Sequence, residues 1–313
     1  MNADVVCIGQ AVLDCIIRGQ EERPYKKNVY RAKSIGLSTG GDALNEAVLL
    51  THMGHKVRLV CGVGEDMAGN LILDEMNREK VDIQYVTKSS EIVTPVAALM
   101  VKESGTRSSV NSEATMLGNY LPEPEVVKGA KIVSLASLFR APLDRKETVI
   151  SLVKAAKEEG AIVCADTKMP SFRPIALSDI REILPYIDYI FPNEIEAAWY
   201  TGQKEESEMA KYFRDAGVRN VIIKMGEKGC LVYGQKEHFS MPAYTVPAVD
   251  STGAGDNFVA GFLSGLLQGD SLRECCEKGT ACAAISVQAV GATAGIKSIP
   301  AKDLEKIIQK IKK

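Results

Sequence analysis

Apolar residues along this chain recur in two rhythms. Short, nearly continuous runs rich in β-branched residues stand at 5–8, 57–61, 132–135, 162–165, 189–191 and 221–223. They are strand-length and too uniformly apolar for strands with one wet face, so they read as strands buried on both sides. Between most of them, as at 146–159 and 205–216, apolar residues return with helical spacing. The alternation predicts an α/β fold with a mostly parallel central sheet flanked by helices on both faces. Gly54, Gly160 and Gly217 punctuate the returns from helix to strand. Ser271-Leu-Arg-Glu274 has the form of a capping box, opening a helix that runs towards Val290, and 301–313 closes the chain as a short amphipathic helix.

Two stretches break this rhythm. Residues 15–37 are polar, and 94–115 read as strand, turn (Glu103-Ser-Gly-Thr106) and strand. No internal repeat or Pro/Ser-rich linker divides the 313 residues, which are expected to form one domain over 1–313. With 38 basic and 40 acidic residues the net charge is −2, and no basic stripe points to nucleic acid. No apolar run has membrane-spanning length. The eight cysteines form no C-x-x-C pair and several sit in apolar runs, which fits reduced thiols and a cytoplasmic chain. Cys275 and Cys276 are adjacent on a helix and are expected to pack separately. His52 and His55 lack a third ligand and read as helix-end residues.

The chemistry concentrates at Asp250-Ser-Thr-Gly-Ala-Gly-Asp-Asn-Phe258. Glycines that turn the chain into a helix present bare N–H groups at the positive end of that helix, which makes an anion site. Asp256 stands at its edge. A carboxylate beside an anion hole suits a base that takes a proton from a hydroxyl attacking phosphorus, so the stretch reads as phosphoryl transfer, with a plain helix cap as the alternative.

Three further motifs stand in order along the chain: Gly40-Gly-Asp-Ala-Leu-Asn-Glu-Ala47, Pro192-Asn-Glu-Ile-Glu-Ala197 and Lys224-Met-Gly-Glu-Lys-Gly229. Together with Asp250 to Phe258 they resemble the signatures of the ribokinase (PfkB) family of sugar and nucleoside kinases. The resemblance covers the chain from Gly9 to Gly295. It implies a ribokinase-like fold in which segments near 15–37 and 94–115 form a small β-sheet lid over the sugar. It implies ATP as phosphoryl donor, Asp256 as catalytic base and the amides of Gly253, Ala254 and Gly255 as the anion hole. Asn193 and Glu196 would hold the waters of Mg²⁺, although Asn193 reads equally as a helix cap. Lys224, Gly226 and Gly229, with Thr252, would contact the nucleotide. Asp250 and Thr252, with the backbone of Ser286, Ala289 and Gly291 and with Gly295 closing the loop, match positions that bind a monovalent cation, K⁺ by expectation. Asp14, Gly40, Gly41 and Asn45 match residues that hold the sugar. Exposed lid strands would allow a homodimer.

The chain departs from ribokinases proper at two places near the sugar. Asp42 stands where they carry Lys, and Arg140 where they place an acidic side chain. The two reversals argue for a sugar or sugar derivative other than ribose, which Arg140, Lys168 and Arg107 on the lid could meet if it were acidic or unusually long. A nucleoside kinase is the alternative within the family, and aromatic content of 6%, with none clustered near Asp14 or Asn45, tilts towards a plain sugar. A non-catalytic sugar sensor would not need Asp256. A dinucleotide-binding oxidoreductase would need glycines that Gly9-Gln-Ala-Val-Leu-Asp14 lacks.

Overall fold

The computed structural model describes residues 2–19, 21–22, 30–101, 107–170, 173 and 175–311, with the side chains at 21, 22, 30, 107, 115 and 116 left out. The doubly buried runs assemble into an eight-stranded sheet. Its order from edge to edge is His238–Met241, Cys230–Tyr233, Asn220–Lys224, Tyr189–Ile190, Ile162–Thr167, Ala130–Leu138, Ala3–Ile8 and Val57–Val60. Pairing is parallel from Val57–Val60 through Asn220–Lys224, and the two strands beyond are antiparallel. Period-two alternation splits each parallel strand between two cores. Val5 and Cys7 enter one, Val6 and Ile8 the other.

Helices cover both faces. Asp42–His52 and Ala254–Gln268 bring Leu44, Leu49, Phe258 and Phe262 to the first core. Lys146–Glu158 and Glu206–Asp215 bring Leu152 and Phe213 to the second. Gly54, Gly160 and Gly217 take φ of 91°, 73° and 108° after their helices, the left-handed turn that lacks a Cβ penalty in glycine. Ser271 and Glu274 form the reciprocal cap of Leu272–Ser286.

A separate four-stranded sheet has the order Arg107–Asn111, Val96–Val101, Val12–Arg18, Ser34–Gly40. The polar stretch thus supplies strands that extend past it at both ends, and Asp14 lies within one of them. The turn expected at 103–106 lies outside the described residues. One face of this sheet leaves Ile35, Leu37 and Val110 more than half exposed.

The chain steps from Ala3–Ile8 to Val57–Val60 on one side and later to Ala130–Leu138 on the other. Strand order therefore reverses at Ala3–Ile8, and ligands of open α/β sheets bind outside the carboxyl ends of the strands at such a point. Elsewhere, the described cysteines are unpaired, and Cys275 and Cys276 are both fully buried. His52 meets the Ile299 carbonyl at 2.8 Å and His55 the Ser264 hydroxyl at 2.9 Å. Among the described residues no helix is long and apolar enough to cross a membrane.

Candidate active site

The glycine turn does open a helix. Gly253 is its N-cap with φ 72°, and a Cβ there would lie 2.7 Å from the Ala292 backbone. Residues 254–268 then form the helix, anchored under the sheet by Phe258 and Phe262 packing against Phe191 at ring separations of 6.4 and 4.9 Å. The first amides of a helix have no intrahelical acceptor. The Ala254 amide is already engaged, donating to the Ser251 carbonyl at 3.2 Å.

Asp256 is buried just inside that turn, 5% exposed. Asn45 Nδ2 donates to its Oδ2 at 2.7 Å, across 211 residues of sequence. Burial pushes the Asp256 carboxyl up to about 7. Lys168, 3.6 Å from Oδ1, pulls it down, and Asp42 raises it further.

Around it lies a network of charges that motif reading alone does not find. Lys168 Nζ is 3.1 Å from Asp42, 3.0 Å from Asp166 and 3.6 Å from Asp256. Asp166 is fully buried and also takes Lys224 Nζ at 2.6 Å. Lys168 is desolvated, yet its carboxylate neighbours hold its ammonium well above the usual range, so it stays charged. Glu46, fully buried beneath, accepts a hydrogen bond from the Ser134 hydroxyl at 2.6 Å, and burial drives its carboxyl well up. The signal for Asp166 and Lys168 was their position: Ala165-Asp166-Thr167-Lys168 ends a buried parallel strand, where ligand sites form.

The two reversed charges line the same polar cavity, where, against the desolvation that raises it, the charges of Lys168 and Arg140 lower the Asp42 carboxyl. Asp42 accepts from Ser137 Oγ at 3.0 Å and pairs with Lys168. Arg140 donates through Nε to the Met169 carbonyl at 2.9 Å. Gly40 and Gly41 lack side-chain room for an internal reason: a Cβ on Gly40 would strike the Asp14 carboxylate, and one on Gly41 would lie 2.5 Å from the Gln10 carbonyl. At both positions the chain approaches itself closely.

Asn193 and Glu196 cap a helix reciprocally. Glu196 N–H donates to Asn193 Oδ1 at 2.9 Å and Asn193 N–H to Glu196 Oε2 at 3.0 Å, with Thr167 Oγ1 donating to the same oxygen at 3.0 Å. Oε1 is left to other partners, and burial raises the Glu196 carboxyl. Further along, Asp250 Oδ1 accepts from Thr252 N–H at 2.9 Å and Oγ1 at 2.7 Å, and Oδ2 from Gly291 N–H at 3.0 Å. Ser286 O accepts the Ala289 amide at 3.2 Å. The expected loop pair thus meets. Gly295 sits on the short helix Ala294–Lys297, pressed against the Ile285 and Ser286 backbone. The Arg107 side chain lies outside the described residues.

Two cavities meet at the glycine turn. One, of about 340 Å³, is lined largely by apolar groups, among them Val246, Ala283 and Val287, with Gly226 and Gly229 at its rim. The other, of about 570 Å³, is polar and holds Asp14, Asp42, Asn45, Arg140, Lys168 and Asp256 beneath Ser109 and Asn111 of the small sheet. Lys224, Gly226, Ser251, Ala254 and Gly255 line both.

The pfkB family carbohydrate kinase model matches residues 2–299. A ribokinase of Haemophilus influenzae is 30% identical over 266 residues, covering 83% of this chain and 84% of that protein. A solved Arabidopsis thaliana ribokinase complexed with ribose and ATP superposes with a TM-score of 0.83 at 28% identity, covering 99% of each chain. A Thermotoga maritima ribokinase does so at 0.80 and 26%, over 98% of this chain and 99% of its own.

Proposed function

This chain belongs to the PfkB family of carbohydrate kinases and is an ATP-dependent carbohydrate kinase, and we propose that it transfers the γ-phosphoryl group across the glycine turn to a hydroxyl of a sugar held beside Asp256. The observation that carries the reading is the meeting of an apolar and a polar cavity at one helix N-terminus with a buried carboxylate at the junction. The apolar cavity suits an adenine ring. The polar one suits a hydroxyl-rich ligand, and no aromatic residue among the described ones lines it, which favours a plain sugar over a nucleoside.

In this reading Asp14, Asn45 and Asp42 orient the sugar, with the Gly40 and Gly41 turn shaping the wall. The attacking hydroxyl loses its proton to Asp256 as its oxygen bonds to phosphorus and the bond to ADP breaks. A base poised at about 7 is matched to that task at neutral pH. The Gly253 and Gly255 amides and Lys224, whose Nζ would be 3.2 Å from a Cβ on Gly255, offset the charge gathering on the transferred group. Gly226 and Gly229 border the nucleotide, with Thr252 near its phosphates.

The donor set fits the two cations the family implies. Asn193 and Glu196 offer oxygen donors at the phosphate end of the cavity, suited to holding a hydrated Mg²⁺ through its waters. That ion would neutralise phosphate charge. Asp250, Thr252 and the carbonyls of the 286–291 turn form an all-oxygen set suited to K⁺, and the exposed apolar face with Ile35 and Leu37 suits pairing of two lids.

Sugar-dependent ADP release, screened over pentoses, hexoses, sugar acids and nucleosides, tests the reading. Release with at least one sugar is expected, with ribose not the best by tenfold. Absence of release with every acceptor would remove it.

A further inference from the structure

Arg140 is presented to the polar cavity by a segment held in an unfavourable backbone. Phe139, immediately before it, has φ 78°, the left-handed region that is costly for a bulky residue. Such a conformation persists only where the surroundings over-determine it, and here they do. Phe139 is 1% exposed and lies 4.0 Å from the Tyr200 ring. Its amide donates to the Leu143 carbonyl at 3.2 Å, and the Arg140 amide to Ser137 at 2.9 Å. Tyr200 in turn donates its hydroxyl to the Lys168 carbonyl at 2.6 Å. The guanidinium itself is steered by Nε to the Met169 carbonyl.

That anchoring uses one of five guanidinium donors. No carboxylate among the described residues lies within ion-pairing distance of Arg140, whereas Lys168 is committed to three and Lys224 to one. Among the described cations lining this cavity, Arg140 alone has no carboxylate at ion-pairing distance; Asp42 feels its charge from further away, and the guanidinium faces the cavity's contents. Ser109 and Asn111 line the same space from the small sheet and add polar groups.

We propose that Arg140 is the receptor for an oxyanion carried by the substrate, so that the acceptor of this kinase is a sugar bearing a carboxylate, phosphate or sulfonate group away from the reacting hydroxyl. The inference rests on the kinase reading for its chemistry but is separable from it in binding. A planar guanidinium with its η nitrogens free meets two oxygens of such a group side by side. The reacting hydroxyl then faces Asp256 with the charged end held at Arg140, and a neutral sugar leaves the guanidinium without its partner.

The experiment titrates the full-length protein calorimetrically with matched pairs: a hexose against its sugar acid, its terminal phosphate and its terminal sulfonate. Wild type, Arg140→Gln and Arg140→Lys are compared, with ADP release followed on the same pairs. Wild type is expected to bind one anionic member at least tenfold tighter than its neutral parent. Arg140→Gln should lose about ten- to a hundredfold of that preference, the worth of a charged hydrogen-bonded contact, and Arg140→Lys should keep part of it. Which member wins identifies the anion. Equal or tighter binding of the neutral parents, or a preference that survives in a folded Arg140→Gln protein, overturns the inference. Anion binding that depends on Arg140 without any ADP release would instead overturn the kinase reading alone.

Discussion

Replacing Asp256 by Asn should abolish most catalysis and at the same time make the protein more stable. The carboxyl is buried, and its ionisation is displaced from 3.8 to about 7, roughly three units. At 1.36 kcal/mol per unit, keeping it ionised in the folded state costs at most about 4 kcal/mol above pH 7. Asn keeps the shape and the hydrogen bond to Asn45 without the charge. Lys168 would lose one partner but retain Asp42 and Asp166 at 3.1 and 3.0 Å, so a net gain of about 2–4 kcal/mol is expected, or about 3–6 °C in Tm for a chain of this length.

The sign of the pH dependence follows from the raised value. Between about pH 4 and 7 the folded protein holds a proton on Asp256 that the unfolded chain has released, so this group's contribution is full below pH 4 and is lost as pH rises through 7. The advantage of Asp256→Asn over wild type should therefore grow from pH 5 to 7 and level off above it. Calorimetric melts of both proteins from pH 5 to 9 measure this, and steady-state ADP release measures kcat, expected to fall by about two to four orders of magnitude. A Tm difference that stays flat with pH would refute the desolvated carboxyl. Retention of more than about a tenth of kcat, under about 1.4 kcal/mol of barrier, would refute its role as the base.

Lys168→Met should move the acid limb of the kcat/KM profile up by about one to three pH units. A unit charge 3.6 Å from Asp256 is worth about 4–5 kcal/mol at an effective dielectric of about 20, and Asp42 and Asp166 absorb part of its loss. Lys168→Arg should leave the limb near wild type, and a limb that does not move in Lys168→Met would exclude electrostatic tuning by this residue. Activity should need Mg²⁺ and be higher in K⁺ than in Na⁺ at fixed ionic strength; equal rates in K⁺, Na⁺ and a bulky organic cation would remove the Asp250 site. Gly253→Ala should destabilise the glycine turn, because φ 72° is unfavourable for Ala and the new Cβ would meet the Ala292 backbone; an unchanged Tm would mean the turn yields freely.

The large sheet was legible because its strands are buried on both faces. A run such as Val-Val-Cys-Ile at 5–8 has no other economical use in a soluble α/β chain, and the glycines after the helices mark where each strand resumes. The small sheet was legible in part: 94–115 read as strand, turn and strand, whereas 15–37 read only as a polar interruption, because its strands carry one exposed face and mixed composition. The glycine turn announced itself because few other sequences can form it. The charge network did not. Asp166 and Lys168 are ordinary residues in sequence, and what distinguishes them is that the end of the strand Ile162–Thr167 meets the first turns of the helices Asp42–His52 and Ala254–Gln268. Their meaning depends on distance and burial: a lysine shared by three carboxylates exists only once the fold has closed. The Asp42 and Arg140 reversals gain sense in the same way. Asp42 is paired by Lys168 and feels Arg140 only at longer range, so no carboxylate among the described residues ion-pairs with Arg140, and a cation so anchored beside a sugar-sized cavity has its natural counter-charge on the ligand.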